Sequence, residues 1–181
     1  MFAFCRDIAD ATAGYACAFK PQIAHFAALG AEDALQRLIA HLHTAHPGVP
    51  VILDAKRGDI GSTMDGYAAA WLAPGSPLQA DAVTLTPYLG VGSLDAAIDA
   101  ASALGKGVFV MAANSNPEAE AFQSATLAEL GARSVAQYMV DECAARNAAG
   151  AAAGEVGSVG VVVGATVHNP PSLVGLNAPV L

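Results

Sequence analysis

The sequence has few cysteines, few basic residues and no long apolar run. Its three cysteines, Cys5, Cys17 and Cys143, are an odd number and lie far apart, so no pair has the spacing of a metal site or a disulfide framework. Reduced thiols in a cytoplasmic protein are therefore expected. No stretch approaches the eighteen or so apolar residues of a membrane span, and the first residues do not resemble a secretory signal. These observations argue against a membrane protein or a secreted one.

Basic residues are scarce as well. Lysine and arginine together number 8 against 16 acidic residues, which gives a net charge of -8. Nucleic-acid binding needs a basic face that replaces counterions, so general affinity for nucleic acids is not expected. A small anionic ligand needs only local positive charge, which Lys20, Lys56 or Lys106 can supply. The five histidines do not indicate a metal site, because His41 and His43 are two residues apart and would not share a helix face.

The chain does contain a repeating unit, in which a short β-branched run is followed by an Ala-rich and Leu-rich amphipathic stretch. The predicted strands are 15–20 (weak), 49–54, 82–86, 108–112, 158–163 and a possible start at 180–181. The predicted helices are 31–45, 62–72, 93–103 and 124–149, and Ser62-Thr63-Met64-Asp65 resembles a capping box. This alternation predicts one α/β domain over residues 1–181 with parallel strands and right-handed crossovers.

Two architectures fit this order of elements. An open doubly wound sheet and a (β/α)8 barrel both place ligands beyond the carboxyl ends of their strands, where the polar residues of this chain fall. No Gly-x-Gly-x-x-Gly follows a strand, which weakens a dinucleotide-binding interpretation. The element order alone leaves the choice between the two architectures open.

One charged segment, Asp54 to Asp59, stands at a predicted strand end. Asp54 and Lys56 are two residues apart and so point to the same side of the strand, and Asp59 follows in the turn after Gly58. Such a group can hold an ammonium between two carboxylates, which stabilise and orient it. An oriented, protonated lysine in a dry pocket is a suitable proton donor to a carbanion.

Two plainer interpretations of this segment remain open on spacing alone. An Asp-x-Lys pair at a strand end is commonly a solvated salt bridge that contributes under about 1 kcal/mol. Arg57-Gly58-Asp59 also matches an integrin-binding tripeptide, although no secretory start or disulfide framework accompanies it.

The residues around this segment resemble orotidine 5'-phosphate decarboxylases, specifically the bacterial group that carries Asp-Ala-Lys-Arg-Gly-Asp-Ile. The motif here is Asp54-Ala55-Lys56-Arg57-Gly58-Asp59-Ile60. Further stretches agree in order along nearly the whole chain: Phe19-Lys20-Pro21-Gln22, Thr84 to Gly90, Val108 to Met111 with Asn114 to Glu118, and Gly160 to Thr166. The first motif is highly specific and the others support it.

The resemblance implies a (β/α)8 TIM barrel. It also implies decarboxylation of orotidine 5'-phosphate to UMP in pyrimidine biosynthesis, with no metal and no organic cofactor. By position, Lys56 would protonate C6 of the pyrimidine, Asp54 would lie beside the substrate carboxylate, and Lys20 would orient Asp54 and contact the ribose.

The resemblance assigns further residues to binding. Asp59, Ile60 and Thr63 would reach into the site of a neighbouring protomer, which implies a homodimer with a shared active site. Ser115 would bind the amide edge of the pyrimidine, with Asn114 or Asn116 as the alternative counterpart.

The chain also departs from the family pattern. The first strand with its Gly-x-Asp-Pro-like turn, and the last one to two strands with a Gly-Arg phosphate grip, are not recognised, so a barrel truncated at both ends is expected. Because an unclosed barrel exposes strand edges, we expect the 181-residue chain to be unstable, aggregation-prone or inactive. The alternatives are an inactive barrel fragment and a magnesium-dependent sugar-phosphate decarboxylase or aldolase. The latter enzymes typically carry an acidic residue in place of Lys20.

Overall fold

The structure is a computed structural model that describes the backbone of residues 1–181 and every side chain except that of Leu130. Seven α-helices are present in this part of the chain: α1 (Phe2–Thr12), α2 (Ile23–Ala27), α3 (Glu32–Ala45), α4 (Gly61–Leu72), α5 (Asp95–Ala103), α6 (Pro117–Gln123) and α7 (Val135–Ala152). A 3-10 turn at Val91–Leu94 leads into α5. None of these helices has the length and apolarity that crossing a bilayer requires.

The strands are β1 (Ile52–Arg57), β2 (Ala82–Leu85), β3 (Gly107–Ala113), β4 (Thr126–Leu127), β5 (Arg133–Ser134) and β6 (Val159–Val163). Four of them form one parallel sheet in the order β1-β2-β3-β6. Single parallel bridges extend the sheet at both sides, from Phe19 and Gln22 to β1 and from Val180 to β6. The predicted strand 15–20 is therefore present only as these bridges, because the chain follows β1 for a few residues before α2 begins.

The order of the sheet decides between the two architectures. Every parallel segment lies beside the one that precedes it in the chain, and the direction never reverses. A doubly wound sheet reverses at its first strand, whereas a barrel proceeds in one direction. The fold is thus a (β/α)8-type barrel arrangement, and within the described residues no bridge joins its first parallel segment to its last.

The two faces of the sheet differ in what they bury. Val51, Leu53, Val83 and Leu85 are fully buried against the helices in the main core. The opposite face, which is the barrel interior, carries a smaller cluster of Ile52, Ala82 and Phe109, with Ala18, Val162 and Leu181 packed against it. The alternation of side chains along each strand produces these two faces.

Two expectations about helices are wrong. Helix α4 begins at Gly61 with Ile60 as its N-cap and no side-chain cap, so Ser62 lies inside the first turn and the predicted capping box does not form. The predicted helix 124–149 begins only at Val135. Its first part instead forms a small antiparallel hairpin of β4 (Thr126–Leu127) and β5 (Arg133–Ser134) around a 3-10 turn at Ala128–Leu130.

The hairpin has a local cause. Gly131 and Ala132 both have positive φ angles, 73° and 58°, which an α-helix does not accommodate. Ser134 then acts as the N-cap of α7, because its side chain accepts a hydrogen bond from the backbone N–H of Gln137 at 3.1 Å.

Candidate active site

Polar side chains replace apolar ones on the interior face toward the carboxyl ends of β1 and β2. Asp54 comes two residues after Ile52, and Thr84 comes two residues after Ala82, so each points into the barrel. Both are almost completely buried, with 3% and 1% of their surface exposed. Buried polar groups require partners, and these two side chains partner each other: the Thr84 hydroxyl donates to Asp54 Oδ1 at 2.8 Å.

Asp54 lies between two ammonium groups. Lys20 Nζ donates to Oδ2 at 2.8 Å, and Lys56 Nζ lies 2.5 Å from Oδ1 and 2.6 Å from Oδ2. The amide of Gln22 is the fourth donor to this carboxylate and reaches Oδ2 at 3.1 Å. The two lysine side chains are about two-fifths exposed, so they border open space while the carboxylate beneath them is enclosed.

The partners of Asp54 determine its ionisation. Burial alone raises the pKa of this carboxyl, but hydrogen bonds from Lys20, Lys56 and Thr84, together with the charge of Lys20, outweigh burial and lower its pKa below 3.8. The group is therefore an anion at neutral pH, and it holds both ammonium groups in fixed positions.

The backbone of β1 is distorted where Lys56 lies. Leu53 pairs with Val83 but Arg57 pairs with Leu85, so β1 uses two more residues than β2 over the same span. Lys56 itself has a φ of 47°, which is uncommon for a residue with a side chain. Its backbone N–H donates to Thr84 Oγ1 at 3.0 Å, so Thr84 fixes both Asp54 and the backbone of Lys56. Backbone strain of this kind is found most often at active sites and ligand-binding sites.

Asp59, Ile60 and Thr63, three of the residues predicted to belong to the site, lie on the loop after β1 and at the start of α4. Asp59 is partly exposed, and its carboxylate accepts a hydrogen bond from the N–H of Ile60 at 2.8 Å. Ile60 is 64% exposed, and Thr63 is exposed as well. Among the described residues Asp59 forms no ion pair, so within one chain the arrangement is a carboxylate between two lysines and not the expected lysine between two carboxylates.

Ser115 lies on the loop that follows β3, in a cleft at the same end of the sheet. A cavity of about 450 Å³ is lined by Ser115, Gln123 and Thr166, and a second of about 340 Å³ by Lys56, Gln123 and Met111. Asn114 and Gln123 line both cavities, so the cavity at Lys56 and the cavity at Ser115 are neighbours.

Asn114, Ser115 and Asn116, the three candidates for binding the pyrimidine, differ in whether their side chains already form hydrogen bonds. Asn114 exchanges two hydrogen bonds with Gln123, at 2.7 and 2.9 Å, and Asn116 donates to Glu118 at 3.0 Å. Ser115 is exposed, and in the described part of the chain its hydroxyl has no hydrogen-bond partner. Ser115 is thus the loop side chain best placed to bind a ligand.

The sequence interpretation missed Thr84 and Gln22. Both carried a readable signal, since Thr84 is a polar residue in an otherwise apolar strand, and Gln22 is two residues from Lys20 on an extended segment. Gly58 was also missed. A Cβ added there would lie 2.0 Å from the carbonyl oxygen of Thr86, so the loop approaches β2 more closely than any side chain permits.

The fold and this site define a barrel whose strand ends carry a buried carboxylate between two lysines. The family model described as "Orotidine 5'-phosphate decarboxylase / HUMPS family" matches residues 2–176. The chain is 48% identical over 180 residues to orotidine 5'-phosphate decarboxylase of Corynebacterium efficiens, and 45% identical over 184 residues to that of Corynebacterium glutamicum strain R; each match covers 98% of this chain. This chain belongs to the orotidine 5'-phosphate decarboxylase / HUMPS family.

Solved structures agree with that assignment. A crystal structure from Streptomyces avermitilis assigned to orotidine 5'-phosphate decarboxylase superposes with a TM-score of 0.90 at 41% identity, covering 99% of this chain and 61% of the other. The OMP decarboxylase of Leishmania donovani gives a TM-score of 0.73 at 34% identity, covering 92% and 60%. The chain spans 63% of the length of the two Corynebacterium relatives.

Proposed function

We propose that this chain carries the catalytic core of an orotidine 5'-phosphate decarboxylase, which converts orotidine 5'-phosphate to UMP without a metal or an organic cofactor. The observation that carries the proposal is the Lys20–Asp54–Lys56 network, in which one buried anion holds two ammonium groups and Lys56 lines a cavity. The names of the similar proteins support the choice of substrate. A cytoplasmic location stays a prediction.

The network suits a reaction in which a carbanion forms and is then protonated. When the bond between C6 and the substrate carboxyl breaks, CO2 leaves and its electron pair stays on C6. Lys56 would then donate a proton from Nζ to C6, and solvent would return a proton to the lysine. Asp54, ionised beside the substrate carboxylate, would repel that second negative charge until CO2 departs.

The remaining predicted residues have binding roles in this proposal. Lys20 would keep Asp54 oriented and reach the ribose, and Ser115, whose hydroxyl is free in the described residues, would bind the amide edge of the pyrimidine. Exposed Ile60 and Thr63, with Asp59, would complete the site of a second copy, which makes the working form a homodimer.

A magnesium-dependent sugar-phosphate decarboxylase or aldolase is the enzyme alternative. The position of Lys20 argues against this alternative. Its ammonium lies 2.8 Å from Asp54 Oδ2 and supplies the positive charge that a magnesium ion would otherwise bring to this carboxylate. Decarboxylation of orotidine 5'-phosphate that persists in EDTA supports the proposal, whereas turnover of a ketose phosphate that EDTA abolishes supports the alternative.

Replacement of Lys56 tests the proposed proton transfer. Lys56→Ala removes the proposed donor and should lower kcat by at least about 10²–10⁴-fold, while circular dichroism shows an unchanged fold. Lys106→Ala is the matched control, because Lys106 precedes the amino end of β3, donates to the carbonyl of Leu72 and takes no part in the network. Its kcat should stay near that of the unsubstituted chain.

Activity and nucleotide binding are measured together in this test. UMP formation is followed by the absorbance change of the pyrimidine, and UMP binding by calorimetry. Full activity of Lys56→Ala would remove Lys56 from the donor role. A folded chain that neither turns over substrate nor binds UMP would instead identify the chain as a non-catalytic barrel fragment.

A further inference from the structure

Three metal-ligating side chains meet on the outer surface of the barrel, where the proposed decarboxylase does not use them. Asp10 belongs to α1, His41 to the last part of α3, and His46 follows the end of α3. Asp10 Oδ1 lies 2.7 Å from His41 Nε2 and 2.7 Å from His46 Nε2. The three ligand atoms all lie within 4.8 Å of one another, although Asp10 is more than thirty residues away in sequence.

The cluster lies away from Asp54. Helix α3 leads through a short turn into the amino end of β1, whereas Asp54 and Lys56 lie toward the carboxyl end of that strand. In barrels of this type the amino-terminal face contributes to stability and the carboxyl-terminal face to catalysis. A site here would therefore act on the stability of the chain and not on its chemistry.

Packing holds the two imidazoles in place. Their ring centroids are 5.9 Å apart in an edge-to-face arrangement. Phe2 packs against His41 at 6.4 Å, and Phe19 packs against His46 at 6.0 Å. The side chains of His41 and His46 are 25% and 19% exposed, and that of Asp10 is 41% exposed, so the cluster is fixed from within and reachable from solvent.

We propose that Asp10, His41 and His46 form a binding site for a divalent transition-metal ion of the Zn²⁺ type. Two imidazole nitrogens and one carboxylate oxygen are ligands that Zn²⁺ prefers, with water in the fourth position. Ca²⁺ and Mg²⁺ are disfavoured because they take oxygen ligands. Ligand bonds of about 2.0–2.2 Å require the present nitrogen–oxygen contacts to open slightly and each imidazole to carry its proton on Nδ1.

A metal-free hydrogen-bonded clamp between α1 and α3 is the competing interpretation. The convergence favours the metal, because both Nε2 atoms approach the same carboxylate and all three possible ligand atoms lie within 4.8 Å of one another. His41 and His46 are also five residues apart, so the bend of the chain after α3 is needed to bring their rings together. A bound ion would join α1 to α3 and, through His46, to Phe19 beside Lys20.

The test uses the 181-residue chain without an affinity tag, freed of metal with EDTA, at concentrations below any self-association. Zn²⁺ binding is measured by calorimetry, and Co²⁺ binding by its visible absorption, which reports the coordination geometry. We expect one ion per chain, a tetrahedral Co²⁺ spectrum, and a rise in Tm with Zn²⁺ concentration because the ion binds the folded state.

Variants separate this site from adventitious binding. Asp10→Asn, His41→Asn and His46→Asn should each weaken binding by about tenfold or more, as expected when one of three ligands is lost. His25→Asn is the control, because His25 is exposed on α2 outside the cluster, and it should bind like the unsubstituted chain. Asp10→Asn keeps the size of the side chain and a hydrogen-bonding oxygen, so it guards against a failure to fold.

Two results would overturn the proposal. One is the absence of Zn²⁺ and Co²⁺ binding by the folded, unsubstituted chain. The other is equal binding by the unsubstituted chain and by folded Asp10→Asn, His41→Asn and His46→Asn, which would assign the metal to other groups.

Discussion

At the scale of single residues, Asp54 organises the candidate site. Its burial would be costly for an isolated charge, yet four donors, Lys20, Gln22, Lys56 and Thr84, reach its two oxygens. Charge-assisted hydrogen bonds of this kind are stronger than neutral ones. Removing Asp54 or one of the two lysines leaves the remaining charged groups without a partner. The network therefore acts as a unit.

The lowered pKa of Asp54 predicts how stability depends on pH. Because the folded-state pKa lies below the ordinary 3.8, ionised Asp54 stabilises the fold above that pH, and the stabilisation is lost as the pH falls through the folded-state pKa. Between about pH 7 and about pH 3, the free energy of unfolding measured by urea denaturation should therefore fall more in the unsubstituted chain than in Asp54→Asn.

An exposed carboxylate provides the control for that measurement. Asp99 lies on the outer side of α5 and forms no ion pair among the described residues. Asp99→Asn should keep the pH dependence of the unsubstituted chain. Equal pH dependence in Asp54→Asn and the unsubstituted chain would contradict the assignment of this acid sensitivity to Asp54.

Much of the site could be predicted at this scale, because spacing along extended segments fixes which side chains share a face. Asp54 and Lys56 are two residues apart, and the family motif added Lys20. The position of Asp59 could not be predicted in the same way. Its backbone follows a bulge and the positive φ of Lys56, and a distortion of that kind leaves no simple periodic signal.

At the scale of elements, the end of β1 combines a bulge with a close crossing of β2. The bulge begins after Leu53, and the chain then passes Thr86 so closely that Gly58 has no room for a side chain. The N–H of Thr86 donates to the carbonyl of Arg57 at 2.9 Å, which fixes the crossing. Gly58 thus connects the Lys56 segment to the next strand.

Gly58→Ala tests that connection. The added Cβ would meet the Thr86 carbonyl oxygen at 2.0 Å and the Leu94 side chain at 3.3 Å, so the loop must move. We expect a loss of about 1–3 kcal/mol in the free energy of unfolding, measured by urea denaturation.

Gly66→Ala is the matched control for this substitution. Gly66 lies within α4, and a Cβ there would meet nothing within 4 Å. Alanine should therefore stabilise that helix by about 0.5–1 kcal/mol. If Gly58→Ala is as stable as the unsubstituted chain, the close crossing is not required.

The errors of element prediction have physical causes in turn chemistry. Helices and strands with strong periodicity were found within a few residues, as α3 at Glu32–Ala45 shows for the predicted 31–45. The helix predicted over 124–149 was too long, because the prediction followed the Ala-rich composition and gave no weight to two residues. Gly131 breaks the helix and Ser134 is the N-cap of α7. Composition predicts how readily a segment forms a helix, whereas turn residues determine where the helix begins.

At the scale of the whole molecule, the sheet has two edges that do not pair with each other within the described residues. One edge is the extended segment at Phe19 and Gln22, and the other is the segment at Val180. A cavity of about 870 Å³ lies between them, lined in part by the apolar interior residues Ile52 and Phe109. Unpaired strand edges beside an accessible apolar interior favour association with other chains.

We therefore expect the 181-residue chain to associate beyond a dimer as its concentration rises, which sedimentation equilibrium can measure. Val180→Lys places a charge on the edge, where Val180 is 46% exposed, and should reduce this association. Val174→Lys is the control, because it adds the same charge on the loop before that edge, where Val174 is 93% exposed. A chain that sediments as monomer or dimer at all concentrations and unfolds in one cooperative step would contradict the prediction. An equal effect of both substitutions would show that added charge, and not the edge, controls association.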